Sequence, residues 1–295
     1  MELRVLRYFV AVAQEGNISH AAESMRVSQP TISRQLKELE DELGVKLFER
    51  GSRTVTLTQA GEYLLTQAHQ MLAISDKTTA NIQQTKQISG SIIVGCAEVP
   101  MIDTLAKAIQ RLSEIAPEVT VNVYSTDADD VHERMNSGVF DFGVVMEPTI
   151  KNDYHFLRLP GTTPWGLLMK SDCALAQRQV ITPKDLDQQR IIVSQQKSSA
   201  NLVNSWLGSS DIGINIVATY NLLYNASKLT VAGVGPCLCI DGIVNTEGSE
   251  LTFVPLSPKL EARASLVWSK SNQLSPAANA FLDIFRNVSS DIGVD

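Results

Sequence analysis

Residues 19–44, which read SHAAESMRVSQPTISRQLKELEDELG, decide the fold of the N-terminal part of the chain. Ser19 predicts the N-cap of a short helix, and Ser28 with Pro30 predicts the first turn of a longer helix. Gly44 predicts the end of the longer helix. Its predicted buried face has the spacing of an amphipathic helix and consists of Ile32, Leu36, Leu39 and Leu43. Two helices joined by a short turn indicate a helix-turn-helix.

The polar face of the longer helix is typical of a DNA-recognition helix. Between Glu23 and Glu38 the sequence holds three basic residues and no acid, whereas acidic residues cluster after this stretch. Because the N-terminal half of a recognition helix enters the major groove, we expect this half to contact DNA. The predicted DNA-binding residues here are Arg26, Ser28, Gln29, Pro30, Thr31, Ser33, Arg34 and Lys37. The acids at the far end, expected to repel DNA, are Glu38, Glu40, Asp41 and Glu42.

A β-wing is predicted directly after this helix. Residues 46–57 read KLFERGSRTVTL, in which a Gly-Ser turn separates two short strand-like runs. Arg50, Arg53 and Thr54 are predicted to contact phosphates next to the bases that the helix reads. Spacing alone also allows a second interpretation, in which three helices pack together and their charges are merely solvated.

The residues from Ala21 to Arg50, with the sequence LTQAG at 57–61, resemble the DNA-binding head of LysR-type transcriptional regulators. The resemblance implies a regulator, not an enzyme, with an α + α/β fold. Its implied parts are an N-terminal winged helix-turn-helix, a long linker helix and a two-lobed α/β body similar to periplasmic binding proteins. The implied partners are double-stranded promoter DNA, RNA polymerase, a small-molecule effector, and further copies of the chain in a homo-dimer or homo-tetramer.

The domain bounds follow from the same resemblance. We expect a winged helix-turn-helix domain at 1–58, a linker or dimerisation helix with a hinge at 59–89, and an effector-binding domain at 90–295. The implied chain path crosses twice between the lobes. Lobe one is therefore expected to comprise about 90–161 plus 266–295, and lobe two about 162–265.

The linker begins with Thr58 as the predicted N-cap of a helix from Gln59. Heptad-like spacing predicts one seam along this helix, formed by Leu64, Ala68, Met71, Ser75, Thr78 and Ile82. The seam is apolar at first and polar later, so it fits either packing on its own domain or pairing with a second copy. The resemblance favours pairing.

Composition sets the wider limits. Of 295 residues, 44% are hydrophobic and 19% charged, which is typical of globular proteins. The sequence has no apolar run of membrane-spanning length and does not begin like a signal peptide, so we expect a cytoplasmic protein without a membrane partner. The net charge of −7 belongs to residues 89–295, since residues 1–88 hold ten basic and ten acidic side chains. Total charge therefore argues only weakly against DNA binding.

Residues 90–295 alternate predicted strands and helices, which indicates α/β lobes. Ligands of such sheets bind at the carboxyl ends of strands, often against helix N-termini. The residues that follow predicted strands are therefore the candidate effector-binding residues. They are Cys96, Ala97, Glu98, Val99, Thr126, Met146, Glu147, Ser194, Gln195, Gln196 and Tyr220.

Glu98 stands where the family often carries a hydroxyl side chain. A glutamate there would repel a carboxylate ligand, and Glu147 would add to the repulsion, so one hypothesis is a neutral or cationic effector. The alternative is that Glu98 points to solvent and carries no information. Cys96 leaves open a minor role in sensing oxidants. The sequence has no GxSxG, HExxH, P-loop or GxGxxG motif, no CxxC among its four cysteines and scattered histidines, so we expect no metal and no cofactor besides the effector.

Overall fold

The computed structural model describes residues 1–50, 55–82, 88–147, 152–208 and 212–293. The chain divides into two compact units, Met1–Gln83 and Gln84–Asp295. Within the described ranges, no helix combines the length and the apolar character needed to cross a bilayer.

The first unit is a helical head with a two-stranded wing. Its elements are α1 (Leu3–Glu15), α2 (Ile18–Ser24), α3 (Gln29–Leu43), β1 (Phe48–Arg50), β2 (Val55–Leu57) and α4 (Gln59–Ile82). The strands β1 and β2 pair antiparallel, with Phe48 opposite Leu57. The helices α1, α2 and α3 contact one another, and Leu6, Phe9, Ile32 and Leu36 are fully buried in their shared core.

The N-cap of α2 lies two residues earlier than the sequence predicts. Asn17, rather than Ser19, caps α2, because its Oδ1 accepts hydrogen bonds from the backbone N–H groups of Ser19 and His20 at 2.8 and 3.2 Å. Ser28 caps α3 as predicted, and Gly44 ends it with a φ of 69°. Leu43 is 40% exposed, so its predicted burial is wrong; it is the last residue of α3 and lies beyond the turns that α1 and α2 cover.

Thr58 joins the wing to α4. Its Oγ1 donates to the carbonyl of Lys46 at 2.7 Å and accepts from the backbone N–H of Gly61 at 3.1 Å. The backbone N–H of Thr58 also donates to the carbonyl of Leu47 at 3.0 Å. A Cβ on Gly61 would lie 2.2 Å from the oxygen of Leu47, so only glycine allows this close approach. The wing and the start of α4 are therefore held as one piece.

The first half of α4 packs within its own unit. Leu64, Ala68 and Leu72 are buried against α1. Of the predicted seam, Met71 and Ser75 are half-buried, Thr78 is exposed, and the side chain of Ile82 lies outside the described residues. An ion pair between Arg7 of α1 and Asp76 of α4 adds a contact at the surface.

The second unit is built from two sheets with helices between strands. Its elements are β3 (Gly90–Cys96), α5 (Asp103–Ile115), β4 (Val119–Ser125), α6 (Ala128–Asn136), β5 (Phe142–Met146), β6 (Tyr154–Arg158), β7 (Thr163–Lys170), β8 (Arg190–Ser194), α7 (Lys197–Leu207), β9 (Asn215–Tyr220), α8 (Leu223–Val231), β10 (Cys237–Ile240), β11 (Leu251–Pro255), β12 (Glu261–Ala262), β13 (Ala264–Ser269) and α9 (Pro276–Asp291).

Each sheet with its helices forms one lobe. The first lobe has the strand order β4-β3-β5-β13-β6 and contacts α5, α6 and α9. The second lobe has the order β11-β7-β10-β8-β9, with β12 on β7, and contacts α7 and α8. Both sheets are mixed rather than purely parallel, since β13 runs antiparallel to β5 and β6, and β7 runs antiparallel to β10 and β11. The α + α/β fold class is confirmed.

Several elements of the second unit have no clear signal in the sequence. Helix α7 reads KSSANLVNSWL, and its serine and asparagine residues have modest helix propensity. Its buried residues Ser199 and Val203 supply the tertiary packing instead. Strand β6 reads YHFLR and lies at the end of its sheet, where its mostly exposed side chains show no alternation.

Candidate functional site

The exposed N-terminal half of α3 is the first candidate site. Ser28 Oγ accepts from the backbone N–H of Thr31 at 3.4 Å and lies 2.7 Å from Thr31 Oγ1, so this hydroxyl is used to begin the helix. Gln29 Nε2 donates to Ser33 Oγ at 2.9 Å. Arg26, in the turn before α3, has a φ of 55° and is exposed. These polar residues and exposed Pro30 lie at the N-terminal end of α3, where all of them are exposed or half-buried.

Two basic side chains extend this surface along α3. The side chain of Arg34 is 73% exposed, and its Nε lies 3.8 Å from Glu38 Oε1. Such an exposed pair contributes about 0–1 kcal/mol, so Arg34 is available to another anion. Lys37 is also exposed. The predicted wing contacts lie outside what the structure describes, namely the side chain of Arg50 and the residues Arg53 and Thr54.

Glu40 fastens α3 to the wing. Its side chain is 6% exposed; Oε1 accepts from the backbone N–H groups of Leu47 and Phe48 at 2.8 and 3.2 Å, and Oε2 accepts from Lys46 Nζ at 2.9 Å. Burial raises the pKa of this carboxyl, but the hydrogen bonds from Lys46 and the two backbone groups outweigh burial and lower the pKa below its ordinary value. Glu40 is therefore not one of the solvated acids that the sequence predicts.

A cavity of about 50 Å³ between the two lobes is the second candidate site. It lies at the carboxyl ends of β3, β4, β5, β8 and β9, where α/β sheets bind ligands. Seven of the predicted effector-binding residues line it, namely Ala97, Glu98, Thr126, Met146, Ser194, Gln196 and Tyr220. A water molecule takes up about 30 Å³ and a cavity of about 150 Å³ binds benzene, so the lobes lie close together here.

Glu98 bridges the lobes across this cavity. Its Oε2 accepts a hydrogen bond from the backbone N–H of Leu223 at 2.8 Å, at the first residue of α8. The N-terminus of a helix favours negative charge, so the carboxylate of the first lobe occupies the anion-binding position of the second. Glu98 is half-buried and points into the cavity, which excludes the alternative that it faces only solvent.

Tyr220 forms part of the opposite wall. Its hydroxyl donates to the carbonyl of Leu238 at 3.0 Å. Burial raises the pKa of Tyr220 well above its ordinary value, and the nearby Cys237, Cys239 and Glu98 act in the same direction. The hydroxyl therefore stays protonated and acts as a fixed donor inside the protein.

Four predicted effector-binding residues lie away from this cavity. Cys96 and Val99, each 4% exposed, line a neighbouring groove of about 420 Å³. Gln195 is exposed and lines neither space. The carboxylate of Glu147 accepts from Ser265 Oγ at 2.6 Å and lies 3.5 Å from Arg158, so it adds no charge to the cavity.

Cys96 lacks the properties of a reactive thiol. Burial raises its pKa to about 12, so the thiolate is scarce at neutral pH. In the part of the chain that the structure describes, no group of three or more His, Cys, Asp or Glu side chains is placed to hold a metal ion.

Sequence reasoning missed several residues of the cavity wall. Trp165 lies in β7 and Ser199 in the first turn of α7, and neither follows a strand end. Ile240 ends β10, so the strand-end rule would have found Ile240 and Ile243 had it been applied to this strand. Asn221 follows Tyr220 at the same predicted strand end and also lines the cavity, and the remaining wall residues are Leu222, Leu223 and Cys239.

Comparison with known proteins covers both units. The family model described as "LysR substrate binding domain" matches residues 85–290, and that described as "Bacterial regulatory helix-turn-helix protein, lysR family" matches residues 3–62. The Hca operon transcriptional activator HcaR of Escherichia coli (strain K12) is 28% identical over 287 residues, covering 96% of this chain and 97% of HcaR.

Two solved structures share the fold. CbnR, a LysR family transcriptional regulator, superposes with a TM-score of 0.76 at 22% identity, covering 98% of this chain and 99% of CbnR. Full-length CbnR complexed with its target DNA gives a TM-score of 0.74 at 21% identity, covering 98% of this chain and 100% of CbnR.

Proposed function

The chain belongs to the LysR family of DNA-binding transcriptional regulators, and we propose that a small molecule held between its two lobes controls its promoter binding and transcription activation. The observation that carries the proposal is that one chain holds both features. Helix α3 carries an exposed recognition surface, and the second unit has a cavity bridged by the carboxylate of Glu98. We retain the predicted domain bounds, 1–58, 59–89 and 90–295 with its two lobes, as part of this proposal.

The recognition surface of α3 would read double-stranded promoter DNA. Gln29, Thr31, Ser33 and Arg34 would meet base edges in the major groove, because amides, hydroxyls and guanidinium groups match their donors and acceptors. The residues that would hold phosphates are Lys37, Arg50, Arg53 and Thr54. Activation would then involve RNA polymerase at the same promoter; the relative HcaR is named a transcriptional activator.

A homo-dimer or homo-tetramer would place paired α3 helices in successive major grooves. Two apolar surfaces support assembly with a second copy. Tyr63 and Ile74 of α4 are 71% and 37% exposed, and Val123 and Tyr124 of the edge strand β4 are 48% and 51% exposed. Exposed apolar edge strands are typically covered in native proteins.

The effector would act by changing how the lobes close. The cavity of about 50 Å³ is smaller than the roughly 150 Å³ that holds benzene, so an organic effector would widen it or extend into the space beside it. The hydrogen bond from Leu223 to Glu98 is the contact that spans the lobes and would change. For control to follow, the effector must bind one arrangement of the lobes more tightly than the other.

The charge of the cavity favours a neutral or cationic effector. Among the described residues of its wall, Glu98 is the only charged one. A carboxylate effector would meet no positive side chain and would compete with Glu98 for the N-terminus of α8.

DNA binding is tested by titrating the purified protein against the DNA upstream of its own gene at several salt concentrations. Specific binding with a steep loss in salt is expected. Arg34→Ala should weaken specific binding by about 1–3 kcal/mol and relax sequence preference. Arg4→Ala removes the same charge from an exposed position of α1 and is the matched control. Binding no tighter than to unrelated DNA would contradict the proposal.

The effector charge is tested by thermal shift with benzylamine, benzamide and benzoate, which share a ring and differ in charge. The amine or the amide should stabilise the protein more than the carboxylate. In Glu98→Gln this preference should disappear. Stabilisation by benzoate alone would contradict the proposal that the effector is neutral or cationic.

A further inference from the structure

A second cavity lies next to the interlobe cavity, in the second lobe, and opens to solvent beside the exposed residues Ala200, Asn204 and Ile216. Its volume is about 270 Å³, and it lies between α7 and strands β8, β9 and β10. The two cavities share three wall residues, Trp165, Ser194 and Ser199. Helix α7 contributes two small side chains, Ser199 and Ala200, to its wall. The volume that the interlobe cavity lacks is thus available directly beside it.

The wall of this second cavity is mostly apolar and uncharged, with Ser194, Ser199 and Asn204 as its polar residues besides Trp165. Branched aliphatic side chains form most of it, including Val203, Ile214, Ile216 and Leu238. None of the described wall residues is Asp, Glu, Lys, Arg or His. A charged group here would lose part of its hydration and meet no opposite charge, so the wall favours a neutral, mostly apolar occupant.

Two buried polar atoms stand at the boundary between the cavities. Trp165 Nε1 and Ser199 Oγ have no hydrogen-bond partner among the described residues, although their residues are only 2% and 4% exposed. Buried polar atoms are almost always hydrogen-bonded, so each such atom calls for a reason. The indole N–H can only donate, and the hydroxyl can donate or accept. Both residues line the second cavity, so each donor would have to turn only from its enclosed position in the wall to reach an acceptor oxygen on a molecule seated there.

We propose that the second cavity binds the apolar part of a neutral effector, whose acceptor oxygen takes hydrogen bonds from Trp165 and Ser199. An apolar cavity of about 150 Å³ binds benzene, so this larger one has room for a fused ring or a branched chain with short substituents. The polar end of the same molecule would reach the interlobe cavity near Glu98. The regulatory meaning of this site rests on the proposed function, whereas its ligand chemistry does not.

The test is a titration of the full-length protein with prodan, a neutral naphthalene ketone whose emission reports hydrogen bonding to its single carbonyl. Saturable binding with one site per chain is expected. Val203→Phe fills the cavity and should weaken binding at least tenfold. Asn201→Phe adds the same ring on the exposed face of α7 and should leave binding unchanged. Equal affinity of Val203→Phe and the unchanged protein, or no saturable binding at all, would overturn the proposal.

Trp165→Phe keeps the apolar wall and removes the N–H donor, so it covers the case in which Val203→Phe does not fold. Prodan bound to this variant should be held severalfold more weakly and emit at shorter wavelength. Unchanged affinity and emission would refute the role of Trp165. Titration with upstream DNA is scored separately. Cavity-dependent prodan binding without specific DNA binding would contradict the proposed control of promoter binding, and specific DNA binding without prodan binding would refute this site.

Discussion

Two glutamates, Glu40 and Glu98, both accept hydrogen bonds from backbone N–H groups, but they differ in burial and in the number of donors. Glu40 in the head is almost fully buried and accepts three hydrogen bonds, all from residues within eight positions along the chain. Glu98 in the second unit is half-buried and accepts one hydrogen bond, from a backbone group 125 positions away in the other lobe.

The difference lies in how much free energy holds each carboxylate. Three donors to a buried charge fix one geometry, because removing the charge leaves several buried groups unsatisfied. One donor to a half-solvated charge is easily exchanged with water or a ligand. The head is therefore expected to be rigid where it reads DNA, and the second unit to be adjustable where it binds an effector.

The largest effect is expected from Glu40→Ala. It leaves the buried N–H groups of Leu47 and Phe48 without an acceptor and should destabilise the head by about 3 kcal/mol. Hydrogen exchange followed by mass spectrometry should show lost protection at residues 44–50. Asp41→Ala, an exposed acid on the same helix, is the control and should change nothing. Unchanged protection in Glu40→Ala would contradict the conclusion that Glu40 is held more strongly than Glu98.

A smaller loss of stability in the head is expected when the solution is acidified. The pKa of Glu40 in the folded state lies below its ordinary value of 4.5. Its stabilisation is therefore fully present above about pH 4.5 and is lost as the pH falls through the lowered pKa. Exchange protection at Leu47 and Phe48, corrected for the intrinsic rate, should fall over this range. Glu40→Gln cannot titrate and should show a flatter profile, so identical profiles would contradict this assignment.

Glu98→Gln should cost less, about 1 kcal/mol, since it keeps an acceptor and loses only the charge at the N-terminus of α8. All three tryptophans, Trp165, Trp206 and Trp268, belong to the second unit, so urea unfolding followed by tryptophan fluorescence reports on it. Glu118→Gln changes an exposed acid and serves as control. A loss as large as that of Glu40→Ala would erase the distinction between the two carboxylates.

The smallest effect is expected at the surface ion pair of Arg7 and Asp76. Their side chains are 41% and 57% exposed, so the pair should contribute about 0–1 kcal/mol and less at high salt. A double-mutant cycle of Arg7→Gln and Asp76→Asn, read by hydrogen exchange in α1 and α4, measures the coupling. A coupling above that range would show that exposure is a poor guide to the strength of these contacts.

The sequence predicts the head better than the second unit because its signals are local. Ser28, Pro30 and Gly44 act within one helical turn of where they stand, and the structure uses them as predicted. Asn17 was missed because Asn and Ser are equally good caps, and spacing does not choose between them. The burial of Glu40 depends on the N–H groups of the wing, which the helical pattern does not contain.

The interlobe cavity depends on contacts between distant residues. The strand-end rule found Glu98 and Tyr220 because strand ends are visible in the sequence. It could not show that Glu98 reaches Leu223, or that Glu147 pairs with Arg158 away from the cavity. Trp165 was missed because it lies inside β7 rather than at a strand end, and Ser199 because its place in the wall follows from the packing of α7, a helix with weak propensity.

Because Thr58 holds the start of α4 to the wing, a rotation of the wing displaces the far end of this helix. A helix of 24 residues is about 36 Å long. The contacts of Thr58 and Gly61 hold the N-terminus of α4 tightly against the wing. A tilt of about 10° about this joint would therefore move the far end by about 6 Å. Read in reverse, a displacement of a few ångströms at the far end becomes a rotation of the wing and of the recognition helix fastened to it by Glu40.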